Sequence, residues 1–158
     1  MILLTVQPTG GLLLYYAAAY ALAGIAAFAV IIYVCKNRGN EDVSNFNGLG
    51  KTSPAMAAIL TGSLISMAGI PVFAGFFAKF ILFSEAIEGG YLWLVIIAVI
   101  NSIVSVGYYF RLILAMYTRE SENEPVRVPM AYYVVGALSI LINIAIGLFP
   151  SAVIELLA

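Results

Sequence analysis

Long apolar stretches separated by short polar segments make up most of the chain. Each stretch is continuously apolar, without the alternation of a barrel strand, and together they cover about residues 12–35, 54–88, 91–117 and 130–148. A helix of about 20 apolar residues crosses the hydrocarbon core of a bilayer, and unbroken apolar runs favour helices over barrel strands. The pattern therefore predicts an all-α membrane protein with about four transmembrane helices.

The second stretch is too long to be one straight span. No charged residue occurs from Ala55 to Ala78, and the apolar character continues past Lys79 as far as Phe83. As one helix, residues 54–88 would be about 50 Å long, whereas the hydrocarbon core is about 30 Å thick. This helix must therefore be tilted or broken.

The sequence Ala-Gly-Ile-Pro at residues 68–71 predicts where the second span is broken. The proline lacks an N–H and moves the residue before it out of the helical region, and the glycine adds backbone freedom. We therefore expect one discontinuous span made of two half-helices, about 54–69 and 72–88. The predicted hinge consists of residues that favour an irregular backbone or a close approach: Gly69, Ile70, Pro71 and Gly75.

Lys79 lies within the apolar part of the second half-helix. An ammonium group in hydrocarbon costs about 2.5–3.5 kcal/mol on insertion scales, so we expect it to face the protein interior or an aqueous path. Because loss of hydration disfavours the charged form of lysine, a buried lysine can bind and release a proton near neutral pH. Transporters also place ion sites at interrupted helices. Lys79 is therefore the candidate catalytic residue, as a proton relay.

The alternative is a single tilted helix over residues 55–78, with Lys79 reaching the interface at its outer end. That arrangement would leave the apolar residues 80–83 among the lipid headgroups. Glu85 lies on a different face of the second half-helix, six residues further on. A carboxylate partner for the lysine must therefore come from elsewhere.

Three other polar side chains occur in or beside the predicted spans. Asn101 and Asn143 are expected to form hydrogen bonds between helices. Arg111 lies close to an interface, where it either reaches the headgroups or has a functional role. Cys35 ends the first span and is interpreted as a small apolar filler.

The composition agrees with a membrane protein and narrows its chemistry. Of the 158 residues, 63% are hydrophobic and 9% are charged, and the mean hydropathy is +1.06. Soluble domains carry about 25% charged residues. The net charge of −1 provides no basic stripe for nucleic acid. With no histidine and one cysteine, metal sites and disulfides are not expected.

Loop charges predict the orientation of the spans. Residues 36–53 carry three basic side chains and residues 118–129 carry two, whereas residues 84–90 and the short tail after Pro150 carry none. Because basic loops stay in the cytoplasm, we expect both termini on the non-cytoplasmic side.

The stretch Ser63 to Phe83, SLISMAGIPVFAGFFAKFILF, resembles the interrupted helix near the C-terminus of the antiporter-like subunits of respiratory complex I, those of the N type most of all. YYAAAY at residues 15–20 is similar to the preceding helix, FNGLGKTSP at 46–54 to the following loop, and GYYFRLILAMY at 107–117 to the penultimate helix. The resemblance depends on these segments occurring in the same order and at similar spacing as in that family.

The resemblance implies that Lys79 corresponds to a lysine that relays protons in that family. It implies other membrane-arm subunits of complex I, the lipid bilayer and protons as partners, and the bacterial inner membrane as the location. No cofactor is expected in this chain, because NADH, flavin, iron–sulfur clusters and quinone bind to other subunits in that family. Family members are much longer, so residues 1–158 would form one membrane domain equivalent to their C-terminal portion.

Two alternatives to a proton-translocating complex I subunit remain. Related multi-subunit cation/proton antiporters have a similar broken helix and would use the same lysine, driven by an ion gradient. The second alternative is that the chain is a structural remnant, which packs in a membrane complex without carrying protons. Neighbouring genes would distinguish an antiporter subunit from a complex I subunit. Replacement of Lys79 would distinguish a structural remnant from a subunit that carries protons.

Overall fold

The computed structural model describes residues 10–120 and 128–157, and over these residues the chain is helical with no strand. The helices, in chain order, are α1 Gly10–Arg38, α2 Leu49–Thr52, α3 Pro54–Ala68, α4 Ala74–Glu88, α5 Leu92–Thr118, α6 Met130–Leu148 and α7 Pro150–Leu157, with a 3₁₀ turn at Val43–Phe46. The prediction of an all-α protein is confirmed over this part of the chain.

Three of the described helices are long and apolar enough to cross a membrane: α1, α5 and α6. Their bounds differ from the predicted spans by at most three residues at either end, and those of α6 coincide with them. The predicted second span corresponds to two helices of 15 residues each, α3 and α4. Of these two, α3 is apolar but shorter than a full span.

One prediction about the end of the chain is corrected. The segment after Pro150 was expected to be a short tail, but it forms α7, which packs against α1. Proline is compatible with the first turn of a helix because the N–H that it lacks has no partner there. The predicted loop at 118–129 is described only in part, since residues 121–127 lie outside the described residues, as do residues 1–9.

Helix α1 lies at the centre of the packing and contacts α3, α4, α6 and α7. Its alanines at four-residue spacing, Ala19, Ala23 and Ala27, are all buried. The absence of larger side chains at these positions lets the neighbouring helices approach closely. The largest buried cluster joins α1 to α3 and α5, through Val30, Leu60 and Met116 among others.

Helices α5 and α6 bury narrow faces. Within α5 the buried residues are Val95, Ala115 and Met116, and much of its remaining surface is exposed and apolar. Helix α6 buries a row of small and polar residues at intervals of three or four: Gly136, Ser139, Asn143 and Gly147. Residues at this spacing lie on one face of a helix, and this face packs against α1, α3 and α4.

Candidate functional site

The site is built around the interruption between α3 and α4, residues Gly69 to Phe73. Gly69 adopts the left-handed conformation, with φ +84°. Its N–H donates to the carbonyl of Ser66 at 3.0 Å, and the N–H of Ile70 donates to the carbonyl of Ile65 at 3.2 Å. This pair of bonds forms a Schellman motif, which terminates a helix and satisfies two of its last carbonyls. Gly69 therefore ends α3 before Pro71 is reached.

The backbones on either side of the interruption are packed without space for side chains. A Cβ on Gly75 would lie 2.0 Å from the carbonyl oxygen of Ser66, and a Cβ on Gly147 would lie 2.5 Å from the carbonyl oxygen of Val72. Val72 itself has φ +90°, which is strained for a β-branched residue. The connection is thus held tightly by α3 and α6.

Asn143 of α6 joins the elements around the interruption. Its Oδ1 accepts hydrogen bonds from the hydroxyl of Ser66 at 2.9 Å and from the N–H of Ala74 at 3.3 Å. Its Nδ2 donates to the carbonyl of Ala19 at 2.9 Å. The side chain is fully buried. One amide therefore bridges α1, the last turn of α3 and the first residue of α4.

Lys79 reaches back from α4 to the end of α3. Its Nζ donates to the carbonyl of Met67 at 2.9 Å and lies 3.4 Å from the carbonyl of Ala68. These carbonyls belong to the last turn of α3, which has no helical partner for them and carries the negative end of the helix dipole. The methylenes of Lys79 lie over Gly69, where a Cβ would be 3.2 Å from Cδ. The half-buried ammonium thus caps the C-terminus of α3.

A cavity of about 290 Å³ opens beside Lys79, between α1, α4 and α5. Seven polar or ionisable side chains line it: Tyr16, Tyr20, Lys79, Asn101, Ser102, Ser105 and Tyr109. Such a cavity has both the volume and the polar partners that water needs. A protonatable amine and several hydroxyl groups therefore share one space.

A second cleft of about 280 Å³ borders Lys79 on another side. Its lining is mostly apolar and includes Phe76, Phe80 and Ile103. Lys79 thus borders both a cavity lined by several polar side chains and a mostly apolar cleft. The backbone carbonyls at the end of α3 are the described groups that hold the ammonium directly.

The structure brings only some of the predicted site residues together. Asn101 lines the polar cavity with Lys79, and Asn143 lies at the interruption. Arg111 is exposed on α5 and does not line that cavity. Cys35 packs at the edge of the largest buried cluster.

Several site residues were not predicted from the sequence, among them Ser66, Gly147, Tyr16 and Tyr20. A signal for the α6 face was present, because Gly136, Ser139, Asn143 and Gly147 recur at helical spacing in an otherwise mostly apolar helix. No comparable signal marks the tyrosines of α1, since they meet the serines of α5 only through the tertiary fold.

Comparison with known proteins gives one family. A family model described as NADH:quinone oxidoreductase/Mrp antiporter, transmembrane, matches residues 1–105. This range includes α3, the interruption, α4 and the residues that line the polar cavity other than Tyr109.

Two similar relatives are both named NADH-quinone oxidoreductase subunit N. The protein of Flavobacterium johnsoniae is 63% identical over 157 residues, which are 99% of this chain and 34% of the relative. That of Flavobacterium psychrophilum is 54% identical over 155 residues, 98% of this chain and 34% of the relative. The chain therefore spans about a third of the length of the curated relatives that it matches.

A solved structure shows the same fold. One chain of respiratory complex I from Thermus thermophilus with bound aureothin superposes with a TM-score of 0.85 at 27% sequence identity. The match covers 97% of this chain and 35% of that chain. The resemblance seen in the sequence is confirmed by the family model, the relatives and the fold.

Proposed function

This chain belongs to the NADH:quinone oxidoreductase/Mrp antiporter transmembrane family, and from that membership we propose that it is the C-terminal portion of an N-type membrane subunit of a proton-pumping NADH:quinone oxidoreductase. Its role there is to carry protons through Lys79. Other membrane-arm subunits are its partners, and NADH, flavin, iron–sulfur clusters and quinone bind to other subunits of the complex. The names of the relatives and the complex I fold support this assignment.

The main support for the proposal is that the Lys79 ammonium lies within hydrogen-bonding distance of the backbone carbonyls of Met67 and Ala68. A hydrogen bond from a charged group is worth about 1.5–3 kcal/mol, so these carbonyls favour the protonated amine. The mostly apolar cleft that Lys79 also lines favours the neutral amine. A small separation of α4 from the end of α3 would therefore convert a held proton into a released one.

In this proposal, α3 and α4 form one discontinuous membrane span, broken at Gly69–Phe73. Irregular backbone at membrane depth is tolerated where it is buried in protein, and the backbone here packs closely against protein at Gly75 and Gly147. Hydroxyl groups line the polar cavity beside Lys79, among them those of Tyr20, Ser105 and Tyr109. Water held among them would deliver protons to Lys79. The basic loops face the cytoplasm, and both termini lie on the opposite side.

The test is proton pumping by the assembled complex with Lys79 replaced. In inverted membrane vesicles, Lys79→Met should lose most of the proton uptake per NADH oxidised. Lys79→Arg should be impaired as well, because arginine retains the charge but cannot release its proton. Lys51→Met is the matched control, because Lys51 is exposed in the polar connection before α3. Normal pumping by Lys79→Met would support a structural role for the chain instead.

A cation/proton antiporter subunit is the second candidate, because the description of the matching family names Mrp antiporters as well. It would use the same lysine without electron transfer. Genes for dehydrogenase and quinone-site subunits beside this one would support the first candidate, and genes for small antiporter subunits would support the second.

A further inference from the structure

Asn143 connects the two sides of the interruption through a single oxygen atom. Its Oδ1 accepts from the Ser66 hydroxyl at 2.9 Å, in the last turn of α3, and from the N–H of Ala74 at 3.3 Å, the first residue of α4. Its Nδ2 donates to the carbonyl of Ala19 in α1 at 2.9 Å. Both ends of the interruption are therefore tied to one side chain, which is itself tied to α1.

Burial makes this link costly to lose. Asn143 is fully buried, and a buried amide is tolerated where its hydrogen bonds are made. The first N–H groups of a helix have no helical partner, and Asn143 supplies one to Ala74. Replacement by an apolar residue would leave this N–H and the Ser66 hydroxyl without their partner in a site closed to solvent.

The link spans the same gap as the contact made by Lys79. Ser66 directly precedes Met67, whose carbonyl accepts from Lys79, and Ala74 lies on α4 five residues before the lysine. We propose that Asn143 is a positioning residue that sets where the Lys79 ammonium stands on the end of α3. Its consequence for proton transfer rests on the function proposed above, whereas its effect on the position of residue 79 does not.

The geometry accounts for an asparagine at this place. An amide provides an acceptor for Ser66 and Ala74 and, at the same time, a donor for the carbonyl of Ala19. A leucine of similar size fills the space but makes none of these bonds. Gly147, one turn further along α6, lets this face of the helix come close enough to Ala74, since a Cβ there would be 2.6 Å from the Ala74 nitrogen.

The position of residue 79 is measured first, without reference to transport. In the assembled complex, Lys79→Cys is combined with Cys35→Ser, and the rate of alkylation by a maleimide is compared with and without Asn143→Leu. Loss of hydrogen bonds that hold the interruption should change the rate by about fivefold. Ser139→Ala is the control, because it alters a buried hydroxyl one turn earlier on the same face. Equal rates with and without Asn143→Leu would overturn the proposal.

Proton pumping then separates positioning from general stability. Asn143→Leu alone should lower pumping per NADH oxidised by about fivefold in complexes of normal subunit content. In a Lys79→Met background it should cause no further loss, because the two residues act through one group. Independent losses that multiply would indicate that Asn143 is merely structural and would contradict the proposal.

Two further outcomes are informative. If Lys79→Met pumps normally, the proposed function fails, while the alkylation rates still decide the role of Asn143. If Asn143→Leu does not assemble, Ser66→Ala replaces it, because this variant removes one arm of the same link. It should change the alkylation rate in the same direction by a smaller factor, and an unchanged rate would again overturn the proposal.

Discussion

The Cα of Gly75 lies directly against the carbonyl of Ser66. A Cβ at position 75 would be 2.0 Å from that oxygen and 2.9 Å from its carbon. Both atoms belong to the backbone of α3, so neither can rotate away as the end of a side chain would. This contact fixes how closely the first turn of α4 approaches the last turns of α3. It therefore also fixes the distance that the Lys79 side chain must span to reach the carbonyls at the end of α3.

We expect Gly75→Ala to destabilise the subunit, because the added methyl group can be accommodated only by moving one helix away from the other. Overpacking of this kind costs about 1–3 kcal/mol. Gly24→Ala is the matched control: its Cβ would meet nothing within 4 Å on α1, and alanine is the better helix former. Thermal denaturation of the purified complex, followed through release of this subunit, measures the difference. Equal stability of the two variants would contradict the contact.

Substitutions of Gly69 should follow the tolerance of each residue for the left-handed conformation. Glycine adopts φ +84° without strain, asparagine tolerates this region, and β-branched residues do not. We therefore expect the loss of stability to increase from Gly69→Asn to Gly69→Ala to Gly69→Val, reaching about 1–3 kcal/mol. The same thermal measurement gives the order, and a loss for asparagine as large as that for valine would contradict it.

Pro71→Ala should leave α3 ending where it does. The Schellman motif at Gly69 and Ile70 already terminates the helix, and Pro71 is exposed beyond it. Hydrogen exchange of the amides at residues 69–73 should therefore change much less for Pro71→Ala than for Gly69→Ala. If removal of the proline alone protected these amides as a continuous helix would, the termination of α3 would depend on Pro71.

If Lys79 relays protons as proposed, removal of hydroxyl groups from the polar cavity should slow their delivery while leaving the packing nearly unchanged. The double variant Tyr20→Phe/Ser105→Ala should reduce pumping, but by less than tenfold, and a tenfold loss corresponds to a rise of about 1.4 kcal/mol in the barrier. The loss is limited because water can replace part of the hydrogen bonding that the two hydroxyl groups provided. Tyr132→Phe is the control, since the ring of Tyr132 packs against that of Tyr33 in a tilted arrangement, with centroids 4.7 Å apart, and does not line this cavity. Equal pumping by both variants would exclude these hydroxyl groups from the route.

The sequence predicted much of the local structure around Lys79. Charge-free runs of known length predicted helices, and the Ala-Gly-Ile-Pro segment predicted an irregular backbone between two helical halves. The sequence attributed the break to Gly69 and Pro71 together, and in the structure the hydrogen bonds that end α3 are made by the N–H groups of Gly69 and Ile70. The helix after Pro150 was missed, although a proline at a first helical position was consistent with it.

The sequence by itself determined that this chain is apolar and helical, and it predicted the break before Lys79, because length, hydropathy and the glycine–proline pair act through neighbouring residues. Only the tertiary structure decided what that lysine touches. Met67 and Ala68 lie eleven or more residues before Lys79, and Asn143 lies on a different helix. Such contacts depend on how the helices cross, and here backbones approach closely at Gly75 and Gly147; the sequence marks both glycines but not the groups that each one meets.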